Sequence, residues 1–215
     1  SYMKFLYKYP QRAFPYAQLV DENRRRTRQD PEFELADTGI FADNRYFDVF
    51  VEYAKADLND ILIRITAINR ANVDAPLHLL PTIWFRNTWS WAVGTPRPEL
   101  QRVGNMPAIA LTHAERGRYT LHFEGSPELL FTENDTNVKR IFDIDNSLPF
   151  VKDSINNYVL HGAKDAVNPA QRGTKAAGHY TTRVAAGQSV VVRLRLTDGG
   201  VSEGPSGVGA DFDRV

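Results

Sequence analysis

The chain has 215 residues, 42% hydrophobic and 24% charged, with 14 Gly and 12 Pro, the balance of an ordinary globular chain and not of a disordered, collagenous or low-complexity one. Twenty-six Lys plus Arg offset 26 Asp plus Glu, so no global field draws in nucleic acid or an anionic membrane. The absence of cysteine excludes disulfide frameworks, thiolate metal sites and cysteine nucleophiles.

A chain of this length buries about 70% of its unfolded surface, enough for one large domain without a metal or disulfide staple. The longest apolar runs, such as Ile61-Leu62-Ile63 and Val190-Val191-Val192, fall far short of the roughly 20 residues of a membrane span. The first residues, Ser1-Tyr2-Met3-Lys4-Phe5, lack an initiator Met and the basic and apolar regions of a signal peptide. They read as the start of a piece cut from a longer protein of the cytoplasm.

In chain order, 18–28 reads as a helix and 33–41 as a strand. From Arg45 to Lys55 the residues Phe47, Val49, Val51 and Tyr53 share one face, the period-two pattern of a strand with one buried side. Ile61, Ile63, Ile65 and Ala67 repeat it. A third run, 77–87, sets Leu77, Leu79, Ile83 and Phe85 against His78, Thr82, Trp84 and Arg86, with Pro81 marking an edge or a bulge. Strands follow at 108–112, 119–124, 129–132, 179–184 and 190–196, with a second short helix at 153–160. Glu115-Arg116-Gly117 and Ala186-Gly187-Gln188 carry hairpin-turn chemistry. About nine strands without a series of crossover helices predict an all-β fold: a large antiparallel β-sandwich, supersandwich-like, with long loops and one or two short helices. The sandwich is expected over 1–197, and the Gly-rich stretch 198–215 is expected to be a linker.

No nucleophile elbow, P-loop, dinucleotide fingerprint or paired-histidine zinc motif occurs, and no cofactor is expected. The five histidines, His78, His113, His122, His161 and His179, lack ligand spacing, and no metal site is assigned. Arg24-Arg25-Arg26-Thr27-Arg28 is bracketed by Asp21, Glu22, Asp30, Glu32 and Glu34, which favours a solvated or internally paired surface over a nucleic-acid contact. Asp135, Asp143, Asp145 and Asp153 lie in one long loop, and nothing in their spacing brings two of them together as the acid and base that glycoside hydrolysis needs. Calcium in that loop is open to consideration, although the spacing fits no EF-hand, and Asn134-Asp135-Thr136 is a glycosylation sequon.

The most informative segment is 81–91, Pro-Thr-Ile-Trp-Phe-Arg-Asn-Thr-Trp-Ser-Trp, which holds all 3 tryptophans. Aromatic faces cover the C–H surface of a sugar ring, while Arg86 and Asn87 supply directed hydrogen bonds. The same residues also suit a sandwich core or a domain interface, and composition favours that second reading.

That segment, together with Tyr2-Met3-Lys4-Phe5-Leu6-Tyr7-Lys8-Tyr9-Pro10-Gln11, Phe14-Pro15-Tyr16, Arg45-Tyr46-Phe47-Asp48-Val49, Phe131-Thr132-Glu133-Asn134, Tyr158-Val159-Leu160-His161-Gly162 and Gly173-Thr174-Lys175-Ala176-Ala177, resembles bacterial proteins of glycoside hydrolase family 63, relatives of the mannosyl-oligosaccharide glucosidases. The resemblance covers nearly the whole chain. It implies an N-terminal β-sandwich packed on an (α/α)6 barrel that carries the catalytic carboxylates and hydrolyses an α-glucosidic bond with inversion. Acid and base would then stand about 6.5–9.5 Å apart, with water between them. This chain matches the later part of such a sandwich, and 210–215 resembles the start of the connection to the barrel. No catalytic residue is therefore carried over, and the chain alone is expected to be inactive.

The expected partners are the barrel of the same parent chain and an α-glucoside or oligosaccharide. Trp84, Arg86, Asn87, Trp89, Trp91, Glu133, Asn134, Asp153 and Asn157 are the candidate residues, either for substrate contact or for the domain interface. An independent carbohydrate-binding module, with Trp84, Trp89 and Trp91 as an exposed platform, and a purely structural interaction domain are the alternatives. If earlier strands of the sandwich are missing, an edge or groove is expected to be exposed.

Overall fold

Strand alternation dominates the fold because it lets each strand bury one face and leave the other to water. The computed structural model describes residues 1–198, Val208 and Phe212. Its strands are β1 (Tyr2–Pro10), β2 (Tyr46–Asp57), β3 (Asp60–Asn69), β4 (Ala75–Leu79), β5 (Thr82–Trp84), β6 (Glu99–Arg102), β7 (Ala108–His113), β8 (Gly117–Phe123), β9 (Glu128–Thr132), β10 (Arg172–Gly173), β11 (Lys175–Val184) and β12 (Ser189–Asp198). Helices α1 (Tyr16–Arg25), α2 (Val138–Phe142) and α3 (Ser154–His161) lie in the connections.

An eight-stranded antiparallel sheet runs β1-β2-β3-β12-β8-β7-β6-β10. A smaller sheet is centred on β11, with β4 and β5 successively along one edge and β9 along the other. The two face each other across a core that contains Phe47, Leu77, Leu100, Ile109, Phe131 and Leu194, each below 3% exposed. The protein is an antiparallel β-sandwich.

Several local expectations are corrected. Residues 33–41 form no strand. A 3-10 turn occupies Leu35–Thr38 and ends at Gly39 with φ 68°, because the Asp37 carboxylate accepts from the Glu34 backbone N–H at 2.8 Å. Such a local side-chain bond competes successfully with pairing for a short segment. The run 77–87 divides at Leu80-Pro81 into β4 and β5, and the Pro81 carbonyl still accepts from Gly178 N at 3.1 Å. The structure has three short α-helices where one or two were expected.

The turn at Ala186-Gly187-Gln188 closes no hairpin. β11 pairs within the small sheet and β12 within the large one, so the chain changes layers there. Asn69, fully buried, holds this corner: its amide donates to the Val73 and Val184 carbonyls at 2.8 and 3.0 Å and accepts from Gln11 Nε2 and Ala71 N at 2.8 and 3.0 Å. Of the stretch 198–215, Asp198 belongs to β12, and most of the expected linker lies outside the described residues.

The outer face of the large sheet carries a ladder of charges. Glu52 accepts from Arg64 Nε at 2.9 Å and from the Tyr2 hydroxyl at 2.5 Å. These two hydrogen bonds, the Arg64 contribution first, hold its carboxyl down at about 2. A carboxyl depressed on folding stabilises above its ordinary value near 4.5, and that contribution is lost as pH falls toward 2. Glu52→Gln is accordingly expected to flatten the acid limb of a stability-versus-pH curve between these values. An unchanged limb would show that Glu52 is not anchored. In the basic run, Arg24 and Arg25 reach Asp21 and Glu22 at 3.8 and 3.4 Å in solvent-exposed pairs.

Candidate functional site

Two long loops leave the same end of the small sheet. Lys175 of β11 is flanked by Trp84 at the end of β5 and by Thr132 at the end of β9, so the segments that follow Trp84 and Thr132 must start side by side. Asn134 ties them together: its side-chain amide donates to the Phe85 carbonyl at 2.9 Å, and its backbone N–H donates to the Thr174 hydroxyl at 2.8 Å. That buried hydroxyl donates to Glu133 Oε2 at 2.7 Å.

Across the junction, Asn87 Nδ2 donates to Asp135 Oδ1 at 2.8 Å. Arg97, from the loop after Trp89, bridges both acids at 2.7 Å to Glu133 and 3.0 Å to Asp135. Its guanidinium lies 5.4 Å from the ring centre of Trp89, a cation–π distance. The carboxylates are 19% and 23% exposed and the Arg97 side chain 38%, so the bridge is partly open to solvent, which weakens its contribution. Beside the cluster opens a cleft of about 550 Å³ lined by Arg97, Glu99, Glu133, Asn168, Arg172 and Thr174 together with Leu148, Pro149 and Phe150. The lining offers donors, acceptors and apolar surface together, as a neutral polyhydroxylated ligand requires.

The candidate residues divide into groups. Asn87, Trp89, Glu133 and Asn134 converge. Trp84 and Trp91 are 56% and 67% exposed, and Arg86 stacks on Trp91 at 5.2 Å. Trp89 is half-buried, with its indole N–H shielded from solvent and, among the described residues, without a hydrogen-bond partner, so the three indoles do not form one exposed platform. Asp153 sits at the start of α3 in a separate group, accepting from Asn137 and Arg140 at 3.1 Å each, and Asn157 is exposed on α3. Sequence reading did not single out Arg97 or Thr174 and named Asp135 only as a loop carboxylate. The one signal available was that Thr174 stands in a family-like string.

Among the described residues no group of three or more His, Asp or Glu is arranged to hold a metal ion. The outer face of the small sheet does align Glu128, His179 and His78 across β9, β11 and β4. The His78 and His179 ring nitrogens are 2.8 Å apart, and Glu128 lies 3.6 Å from His179 and accepts from the Tyr158 hydroxyl on α3. Burial and the neighbouring His78 push the His179 imidazole below its ordinary value, while Glu128 opposes them. Burial and Arg195 do the same to His122.

A group whose folded value is depressed stabilises fully above its unfolded value near 6.5 and loses that stability as pH falls below it. Thermal stability is thus expected to drop between pH 7 and 5, and His179→Gln to lessen the drop. An identical slope in wild type and variant would show that His179 titrates as in the unfolded chain.

No helix of the described chain is long and apolar enough to cross a membrane. No protein-family model matches the chain. In sequence it is 37% identical to an uncharacterized protein of Saccharomyces cerevisiae (strain ATCC 204508 / S288c) over 235 residues, covering 92% of this chain and 22% of the yeast protein. Among solved structures it aligns with a polysaccharide lyase at a TM-score of 0.43 and 9% identity, covering 75% of this chain and 21% of that one. The chain therefore spans about a fifth of the length of the yeast protein and of the lyase.

Proposed function

We propose that this chain is the non-catalytic β-sandwich domain of a family-63-like α-glucosidase, in which it packs against the catalytic barrel and contributes one wall of the sugar cleft. The observation that carries the reading is the convergence of Asn87, Arg97, Glu133 and Asp135 beside Trp89 at the mouth of a polar cleft. The family-like strings Pro81–Trp91, Phe131–Asn134 and Gly173–Ala177 supply the segments that meet there. Glu133 and Asp135 share Arg97, which holds both side chains at the same place. Their role is to position a hydroxylated ligand, and the acid and base of hydrolysis come from the barrel.

The test is a titration of intrinsic tryptophan fluorescence with glucose, maltose and small α-glucosides, with released glucose assayed in the same samples. A saturable change without hydrolysis, lost in Arg97→Ala, is the expected result. Hydrolysis by the purified chain would overturn the non-catalytic assignment. A second reading, a carbohydrate-binding module, is favoured by the exposure of Trp84 and Trp91. It requires the signal to vanish in Trp84→Ala or Trp91→Ala and to survive Arg97→Ala.

A further inference from the structure

The two layers of the sandwich differ in width. Eight strands lie on one side. On the other, β4 and β5 occupy successive parts of the same β11 edge, so the smaller sheet is only three strands wide. At about 4.8 Å per strand it covers less than half of its partner. The uncovered margin lies over β1 and β2. Phe5, Tyr7 and Tyr9 pair with Val51, Val49 and Phe47 and therefore share the face that is buried under the small sheet, yet they are 48%, 55% and 46% exposed.

Two hollows of about 880 and 430 Å³ adjoin here and have Val49, Leu79 and Leu80 in common. Together they form one largely apolar trough beside β4 and β5, lined by Phe5, Tyr7, Tyr9 and Val51 of the large sheet. Ile155, Val159 and Leu160 of α3 also line it, with Lys152, Asp153 and Lys175 among its polar lining. One wall of that trough is a strand edge. β4 pairs with β11 on one side and, among the described residues, with no strand on the other. An unpaired row of backbone donors and acceptors beside an exposed apolar strip is a template for one more strand. From Leu77 to Ile83 the wall is about 20 Å long, room for an extended segment of about six residues.

We propose that the trough seats an additional β-strand, paired with β4 and placing alternate apolar side chains on Phe5, Tyr7 and Tyr9. The occupant is an extended segment from the part of the longer protein outside the 215 residues. In the yeast relative the matched stretch is 22% of the polypeptide, which leaves ample chain to supply it. A second copy of this chain, which carries the same unpaired β4 edge, is the competing occupant that concentration dependence separates. A whole domain would have to enter a space one sheet layer deep, about 10 Å. The inference is independent of the sugar reading, because the trough shares no lining residue with the polar cleft.

The experiment uses the 215-residue chain and overlapping 15-residue peptides (about 50 Å extended) that tile the yeast relative outside the matched stretch. Binding is read by fluorescence polarisation and by amide hydrogen exchange. At least one peptide is expected to bind and to slow exchange tenfold or more within residues 75–84, while Tyr7→Lys, a change at an exposed position on an edge strand, weakens binding at least tenfold without unfolding the chain. Failure of every peptide to protect residues 75–84, or protection confined to residues 2–10, overturns the proposal. Protection that rises with concentration of the chain alone overturns it in favour of a second copy.

Discussion

Gly173→Ala is expected to be the most damaging single change near the cleft, destabilising the domain by about 3–5 kcal/mol, the range of severe packing substitutions. A Cβ on residue 173 would stand 2.2 Å from the Thr132 carbonyl oxygen and 2.9 Å from its carbon. Both are main-chain atoms of β9, so no side chain can swing aside. Gly173 also pairs with Leu100, and the following Thr174 N–H donates to the same Thr132 oxygen at 3.1 Å. Relieving the clash therefore requires β9 and β10 to separate and the cleft wall to move with them. Thermal denaturation checks this: for a domain of this size the midpoint should fall by about 10 °C. Gly187→Ala provides the contrast, since that position has φ 68° and no atom within 4 Å of the added Cβ. It should cost about 1 kcal/mol, from left-handed backbone strain alone. Equal effects of the two substitutions would refute the close approach of Gly173 to Thr132.

The second large effect is expected from Thr174→Val, which keeps the shape of the side chain and removes its hydroxyl. Thr174 is 1% exposed. Its oxygen accepts from Asn134 N at 2.8 Å and its proton goes to Glu133 at 2.7 Å. The substitution leaves one shielded N–H and one carboxylate oxygen short of a partner, each costing about 1–3 kcal/mol. A total loss of about 2–4 kcal/mol follows, and Thr174→Ser should recover most of it. Because Glu133 is also held by Arg97 at 2.7 Å, the loss should fall short of the sum for two fully orphaned groups. Urea unfolding of the Val and Ser variants beside wild type measures it. A Val variant as stable as wild type would mean that water replaces the hydroxyl and that the junction is open.

The sandwich was largely legible because its long strands keep strict alternation. In β3 and β12 the apolar sets Ile61, Ile63, Ile65 and Leu196, Leu194, Val192 stand beside one another in register, and a slip of one residue would turn them to water. β1 went unread as a strand. Its signal was present, since Met3, Phe5, Tyr7 and Tyr9 alternate with Lys4, Leu6 and Lys8, yet the segment was read only as part of a family-like string, and both of its faces are exposed. β6 and β10, of four and two residues, are too short for a period to show and exist because each pairs with a neighbour.

Legibility of the candidate site followed the same division. The residue types of 81–91 and the acids and amides of 133–137 were visible as groups suited to hydroxyls. Their meeting depends on the pairing of Lys175 with both Trp84 and Thr132, residues that are far from one another in the chain. Arg97 carried no signal at all, since an arginine in a long loop is ordinarily a solvated one.

The sequence by itself determined the class of the fold, the buried face of β2 and β3, the absence of thiol chemistry and the lack of net charge, because these depend on local periodicity and on composition. The tertiary structure decided which strands flank β11, that the turn at Gly187 changes layers, that Arg97 joins Glu133 and Asp135, and that the inner face of β1 is left open. Side-chain period tells a strand which way to face. Only packing of the finished layers tells it which neighbour to take.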